Sequence, residues 1–349
     1  MTNRDLSISS SSAEAAVPDQ PEEYDEQTRA ALDHIDRRAV RVVADGQPER
    51  TRTGYAQDWA SWSRFCGESG VPLLAVTPVT LTAYVEWLWT QPGWKAGTGM
   101  APSTIDRRIS GTVVSARDEH GVKLEEGVAR LARHRLRQLM KEMEKNGEKR
   151  GRGPAAPLLV DHLTAISAAC PDNLRGIRDR ALVLMHFAVA GREHELAATR
   201  VRDYAEAPGG IQADLRVSKV RPRVVPVPYG SRPSICPVRA WTAWKEAAEL
   251  SDPDGPAWRR LHSRWHTVME GGLQPESIGD VITRAGARAG IEVRFTGHSP
   301  RRGLATSSRL KGHDQIVAKQ GGWAPHSKVL AGYLEVVDQW EDNALLGVL

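Results

Sequence analysis

Helical periodicity runs through most of this 349-residue chain and gives way to strand-like alternation in one place. That segment covers residues 211–220 and continues, after a short turn, over residues 224–228. Around it, apolar residues recur at helical spacing and predict helices over residues 160–169, 177–189, 239–249, 277–290, 303–310, 313–320 and 327–333. The pattern therefore predicts a mainly α-helical chain that carries a small antiparallel β-sheet in its second half.

A basic, glycine-rich run from Lys145 to Pro154 interrupts the helical pattern. Since one domain usually takes about 100–200 residues, we predict a helical N-terminal domain over residues 27–145, a linker over 146–156 and a second domain over 157–349. Residues 1–26 have few apolar side chains to bury and predict a disordered acidic tail. In the N-terminal domain, aromatic residues recur at steps of three and four and predict a core-facing stripe: Tyr55, Trp59, Trp62 and Phe65.

Charge is unevenly distributed along the chain. Net charge is +4, but residues 1–26 hold seven acidic residues and one arginine, so the rest carries +10. Such a surplus favours a polyanionic partner such as nucleic acid. The candidates for DNA contacts lie on predicted helices and in the linker: Arg107, Arg108, Arg133, Arg137, Lys149, Arg150 and Arg152. A solvated linker without DNA contacts is the alternative for the last three.

Several classes of protein are disfavoured by composition. No run approaches the roughly 18–20 apolar residues of a membrane span, and the N-terminus lacks a signal pattern, so we expect a cytoplasmic protein without a membrane partner. The three cysteines, Cys66, Cys170 and Cys236, are an odd number at unrelated spacings. They predict neither a disulfide framework nor a zinc site.

Four groups suited to phosphoryl transfer lie close together in the C-terminal part of the sequence. His298 can transfer a proton near neutral pH, and Arg301, three residues later, has a planar guanidinium that binds two phosphate oxygens. Trp323 supplies an N–H donor, with His326 as the alternative, and Tyr333 supplies a phenol nucleophile. Together they suit transfer of a phosphoryl group to a tyrosine.

Two cations upstream fit the same chemistry. Arg192 follows a predicted apolar helix, and Glu195, three residues on, is placed to orient a neighbouring side chain. Lys219, at the end of a predicted strand, can give its proton to a leaving oxygen. Each group alone has an ordinary structural explanation, but the order Arg, Lys, His-x-x-Arg, Trp, Tyr indicates one catalytic set.

This ordered set resembles that of the tyrosine recombinases, or phage integrases, and the resemblance extends over about residues 28–349. It implies a helical core-binding domain and an α+β catalytic domain that clamp double-stranded DNA. It also implies site-specific recombination, in which Tyr333 forms a 3′-phosphotyrosyl link and the other five groups assist. Their implied roles are phosphate binding for Arg192, Arg301 and Trp323, leaving-group protonation for Lys219, and handling of the tyrosine proton for His298.

The resemblance further implies a homotetramer on paired DNA sites, accessory DNA-bending proteins and association with the nucleoid. It implies neither a metal nor another cofactor. Three other functions remain open: a catalytically inactive DNA-binding regulator of the same fold, a type IB topoisomerase-like relaxing enzyme, and, with the weakest support, metal-dependent hydrolysis through His186, His194 and Glu195.

Overall fold

In a computed structural model, the contacts of the chain divide it into two units, Met1–Gly153 and Pro154–Leu349. The structure describes residues 25–45, 49–218, 222–309, 311, 313–324 and 327–333. The predicted acidic tail lies outside these residues except for its last two positions. Within the described ranges, no helix is both long enough and apolar enough to cross a membrane.

The first unit is helical throughout its described part. Its helices are α1 (Glu26–Asp45), α2 (Glu49–Ser69), α3 (Pro78–Thr90), α4 (Pro102–Asp118) and α5 (Arg130–Lys145). Helix α2 packs against α4, and α3 packs against α5. Trp62 and Phe65 of the aromatic stripe are buried, and the Trp62 ring meets the Tyr84 ring edge-on at 5.1 Å. Trp59 packs against the same core, so three of the four stripe residues serve it as their spacing predicted, whereas Tyr55 is half-buried outside the cluster.

The second unit combines helices with two small antiparallel sheets. Its helices are α6 (Val160–Ala169), α7 (Leu174–Val189), α8 (Glu193–Ala197), α9 (Pro237–Ala247), α10 (Pro275–Arg288), α11 (Ser299–Arg309), α12 (Asp314–Gly321) and α13 (Lys328–Tyr333). Its strands are β1 (Tyr204–Ala207), β2 (Gly210–Leu215), β3 (Arg223–Pro228), β4 (Arg259–Leu261) and β5 (Val268–Gly272). The prediction of a mainly helical chain with a small antiparallel sheet is confirmed.

The larger sheet has the strand order β1-β2-β3. Alternate residues of β2 and β3, Ile211, Ala213, Leu215, Val225 and Val227, are buried in the core of the unit. The strand predicted over residues 211–220 ends at Leu215 instead, where Arg216 turns to pair with Asp214 (2.8 Å) and Asp203 (3.1 Å). Strands β1, β4 and β5 were not predicted, because segments of three to five residues carry too little alternation to be recognised.

The last three helices bring distant parts of the sequence to one place. A small apolar cluster of Ala305, Val317 and Leu330 holds α11, α12 and α13 together, and Trp323 and Tyr333 pack against it. Helix α11 also packs on α7, which in turn packs against α9. The start of α11, the end of α7 and the end of α12 therefore meet on a support made by the core.

Helix α11 approaches the chain before α6 so closely that only glycine fits at position 303. A Cβ atom there would lie 1.9 Å from the Leu158 carbonyl oxygen. We expect Gly303→Ala to displace α11 and to cost about 1–3 kcal/mol of unfolding free energy, which is several degrees in the melting temperature of a domain this size. Calorimetry of the full chain measures this shift. Ser307→Ala, at a half-buried position of the same helix, is the control; equal melting of the two variants would contradict the close packing.

Candidate active site

A buried carboxylate, Glu195 of α8, ties the start of its own helix to both arms of the β2–β3 hairpin. It accepts hydrogen bonds from the backbone N–H and Nη1 of Arg192, at 2.9 and 2.8 Å. From the first hairpin arm Ser218 Oγ donates at 2.9 Å, and from the second arm Nη2 of Arg223 donates at 2.9 Å. These contacts fix Arg192, the first candidate arginine, relative to the hairpin.

The surroundings of Glu195 keep it ionised. Burial alone raises the pKa of this carboxyl group, but hydrogen bonds from Arg223, and after it from Arg192, outweigh burial and lower the pKa to about 2. Glu195 is therefore an anion at neutral pH and compensates part of the positive charge of the two arginines.

Arg301 lies in the first turn of α11, because this helix begins at Ser299 rather than at the predicted Gly303. Its Nη1 donates to the carbonyls of Ala190 and Gly321, the latter at 2.8 Å. Burial, and after it the charge of Arg192, lower the pKa of Arg301 to about 9, so the guanidinium still holds its proton at neutral pH. Its Nη2 is buried and has no hydrogen-bond partner among the described residues, which makes it a donor for a ligand oxygen.

Trp323 connects Arg301 to Tyr333. Helix α12 ends at Gly321, and Gly322 takes a left-handed conformation (φ 64°) that turns the chain back. The Trp323 ring then lies 3.8 Å from Cζ of Arg301 and meets the Tyr333 ring edge-on at 6.0 Å. Trp323 Nε1 is buried without a hydrogen-bond partner in the described part of the chain. The backbone of Tyr333 is held by Thr306, whose Oγ1 donates to its carbonyl at 2.8 Å.

Two histidines near Arg301 differ in their surroundings. His298 immediately precedes α11, and its side chain is exposed. Partial desolvation, and after it the charges of Arg301 and Arg192, lower the pKa of His298 below its ordinary value, so that the neutral ring can accept a proton. His186 is fully buried, and burial lowers its pKa to about 4. Its neutral ring donates from Nε2 to the Gly191 carbonyl at 2.9 Å and so supports the segment before Arg192.

The structure thus places Arg192, His298, Arg301, Trp323 and Tyr333 around the start of α11, while Lys219 and His326 lie outside the described residues. Arg223 was not among the predicted site residues, and its only signal in the sequence is a basic residue four positions after Lys219. For the alternative of metal hydrolysis, the ring of His186 is bonded to a carbonyl and Glu195 to two arginines. The described residues contain no group of three or more His, Cys, Asp or Glu side chains that could hold a metal ion.

Candidate DNA contacts in the first unit have partners of their own. Three of them form side-chain contacts within the unit: Arg107 with Asp58 (2.6 Å), Arg108 with Ser61, and Arg133 with Asp106 (2.8 Å). Arg137 lies one turn after Arg133 on α5 and is exposed, and both line the same cleft. These four residues remain predicted DNA contacts.

The basic run after α5 is attached to the last turn of α3 and to the loop between α3 and α4. Cζ of Arg150 lies 3.8 Å from the centre of the Trp89 ring, and its Nη1 donates to the Trp89 carbonyl at 2.8 Å. Cζ of Arg152 lies 4.0 Å from the centre of the Trp94 ring, whereas Lys149 is exposed. The first unit therefore anchors residues 150–152 at two points, and Arg152 is the more exposed of the two arginines.

No family model matches the chain. The chain is 26% identical over 318 residues to an integrase/recombinase xerD homolog of Selenomonas ruminantium, and the match covers 88% of each protein.

Two solved structures have a similar fold, and both are complexes of the XerH site-specific recombinase with a difH substrate. The pre-cleavage complex has a TM-score of 0.52 and 14% identity, covering 85% of this chain and 77% of that one. The post-cleavage complex, on a palindromic difH substrate, has a TM-score of 0.57 and 13% identity, covering 85% and 80%. At these identities, the likeness establishes the fold.

The ionised state of Glu195 predicts an acid-dependent stability. Because its pKa falls from an ordinary 4.5 to about 2 on folding, its contribution is complete above pH 4.5 and is lost as pH falls toward 2. At neutral pH this contribution is about 3 kcal/mol. We expect the stability difference between wild type and Glu195→Gln to narrow by about 1 kcal/mol between pH 6 and pH 3.5, measured by urea unfolding. The control is Glu206→Gln, at an exposed position; a pH-independent difference for Glu195→Gln would contradict the assignment.

The stacking of Arg152 on Trp94 predicts protection from proteolysis. A cation–π contact at an exposed site contributes about 0.5–1 kcal/mol, so Trp94→Ala should raise the rate of tryptic cleavage after Arg152 by about two- to fivefold. The rate is measured by mass spectrometry during limited digestion of the folded protein. Trp265→Ala, at another exposed tryptophan, should leave that rate unchanged. An unchanged rate in Trp94→Ala would show that the stack does not hold the segment.

Proposed function

We propose that this chain, a member of the tyrosine recombinase family by its fold and its sequence relationship, is a site-specific DNA recombinase that works through a 3′-phosphotyrosyl intermediate. The observation that carries the proposal is the line of contacts from Arg301, over the Trp323 ring, to the edge-on ring of Tyr333. Arg301 is 2% exposed and forms no ion pair with any described residue. A buried cation of this kind is stabilised by an anionic partner, and the phosphate of a DNA strand supplies one beside the phenol.

The proposed reaction exchanges one phosphate ester for another. The Oη of Tyr333 attacks phosphorus, the bond to the 5′ oxygen breaks, and that oxygen takes a proton from Lys219. The tyrosine proton passes to His298, whose lowered pKa leaves its ring neutral and able to accept it. A 5′-hydroxyl end of another strand then attacks the phosphotyrosine and reverses each transfer. The covalent link keeps the free energy of the phosphodiester bond, so neither ATP nor another cofactor takes part.

The developing negative charge falls on the two non-bridging phosphate oxygens, where arginine is most effective. Arg301 offers its buried Nη2, and Trp323 offers its buried Nε1. The guanidinium of Arg192 holds Glu195 through Nη1 and is partly accessible, since 21% of its side chain is exposed. We assign phosphate binding to these three side chains.

The partner is double-stranded DNA, for which a homotetramer on paired sites and accessory DNA-bending proteins are the proposed assembly. The proposal is supported by the relationship to an integrase/recombinase homolog and by the fold shared with a DNA-bound recombinase. The proposed DNA contacts outside the active site are of two kinds. Three are exposed: Arg137, Lys149 and Arg152. Four also have partners within the first unit: Arg107, Arg108, Arg133 and Arg150. Action on chromosomal DNA would place the protein with the nucleoid in the cytoplasm.

Covalent trapping tests this function. Incubation with sheared genomic DNA of the source organism, followed by denaturation and sequencing of DNA bound to protein, identifies the site. A nicked suicide duplex of that site should then give a DNA-shifted protein band. We expect no band from Tyr333→Phe, and a loss of about 100-fold or more in the rate for Arg301→Lys, because lysine cannot reproduce the buried fork.

Tyr229→Phe, at an exposed tyrosine of the same unit, is the matched control and should react like wild type. A band that persists in Tyr333→Phe would identify a different nucleophile. Tight DNA binding by wild type without any covalent band would favour the inactive regulator. Relaxation of supercoiled DNA without joining of two sites would favour the topoisomerase.

A further inference from the structure

Arg223 is a buried arginine at the start of β3, and its side chain is 8% exposed. Nη2 and Nη1 donate to the two carboxylate oxygens of Glu195, at 2.9 and 3.3 Å. Nε donates to the Gln320 carbonyl at 3.0 Å. One guanidinium therefore binds the helix that carries Glu195 to the end of α12, from the second arm of the hairpin.

Strand pairing between β2 and β3 ends before the tip of the hairpin, so beyond that point the contact with Glu195 helps to hold the two arms together. The last paired residues of β2 and β3 are Leu215 and Arg223. Beyond this pair, on the first arm, Ser218 donates from Oγ to the same Glu195 carboxylate at 2.9 Å. Glu195 thus holds the two arms together at a level where strand pairing has stopped, and Lys219 is the next residue after Ser218.

We propose that Arg223 is a positioning residue: it holds Glu195 in place, and the Glu195 carboxylate in turn fixes Ser218, which directly precedes Lys219, the proton donor of the proposed reaction. This inference rests on the proposed recombinase function. Arg223 itself donates its hydrogen bonds to Glu195 and Gln320, and in this role it does not contact the DNA.

The arrangement requires the geometry of an arginine. Its planar fork addresses both oxygens of Glu195 and, from the other edge, a backbone carbonyl at the same time. A lysine supplies a single point charge and cannot make these three contacts together. Without Arg223, the buried carboxylate would keep Arg192 and Ser218 as its donors, and the hairpin arm that precedes Lys219 would lose its opposing support.

A leaving-group substitution distinguishes this role from a general structural one. Two nicked suicide duplexes of identical sequence are compared, one with the natural 5′-bridging oxygen and one with sulfur in its place. With sulfur, the Tyr333 oxygen forms its bond to phosphorus while the phosphorus–sulfur bond breaks, and the thiolate leaves without needing a proton. Loss of a proton donor therefore slows cleavage of the oxygen substrate only.

We expect Arg223→Met to form the covalent complex about 10- to 100-fold more slowly on the oxygen substrate, since misplacement of a catalytic group by about 1 Å costs up to 100-fold. On the sulfur substrate its rate should lie within about threefold of wild type, and Lys219→Ala should show the same selective rescue. Arg223→Lys should be intermediate on oxygen, with the same rescue. If Arg223→Met does not fold, Arg223→Lys carries the comparison.

Arg216→Met is the matched control, because Arg216 belongs to the first arm of the same hairpin but exposes 54% of its side chain; it should cleave both substrates at the wild-type rate. Equal losses on both substrates, or no loss on oxygen, would overturn the role of Arg223. A Lys219→Ala variant that sulfur does not rescue would overturn it as well. Wild type that forms no covalent complex with either duplex would instead contradict the proposed function itself.

Discussion

The contact between the Glu195 carboxylate and the guanidinium groups of Arg192 and Arg223 organises the site. The segments it joins are a five-residue helix, the open end of a hairpin and, through Nε of Arg223, the last turn of another short helix. The contact also balances charge. Arg192, Arg223 and Arg301 lie near one another, and Glu195 offsets only one of their three positive charges, which leaves a positive surplus that favours a phosphate group.

The helices of the second unit were predictable because most span ten or more residues with regular apolar spacing; α6 was predicted with its observed ends, Val160–Ala169. Helix α11 was predicted from Gly303 but begins at Ser299, where Pro300 fits the first turn and the Ser299 side chain accepts a hydrogen bond from the Thr296 N–H. Strands β4 and β5 are formed by pairing with each other, and a local pattern of three to five residues does not indicate such pairing.

The candidate site was predictable where chemistry dictates residue type and order, as for Arg192, Arg301 and Tyr333. It was not predictable where a role depends on tertiary contact. Arg223 meets Glu195 across 28 positions of sequence, and Arg301 is held by two backbone carbonyls, which have no side-chain signature. The same limit applies to Arg150, whose guanidinium stacks on Trp89, a contact that its place in a basic run does not indicate.

The geometry also separates chemistry from recognition of sequence. The donors assembled around the start of α11 are Nη2 of Arg301, Nε1 of Trp323 and the guanidinium of Arg192, and in the proposed reaction all of them donate to phosphate oxygens. Contacts to phosphate position the DNA but carry no base information. Burial lowers the pKa of Arg301 but leaves the guanidinium charged at neutral pH. In the proposed reaction, these donors therefore bind any phosphodiester that is correctly placed. The choice of DNA site must therefore come from side chains outside it, and among the exposed basic residues Arg137 is placed on a helix face that leaves its guanidinium accessible.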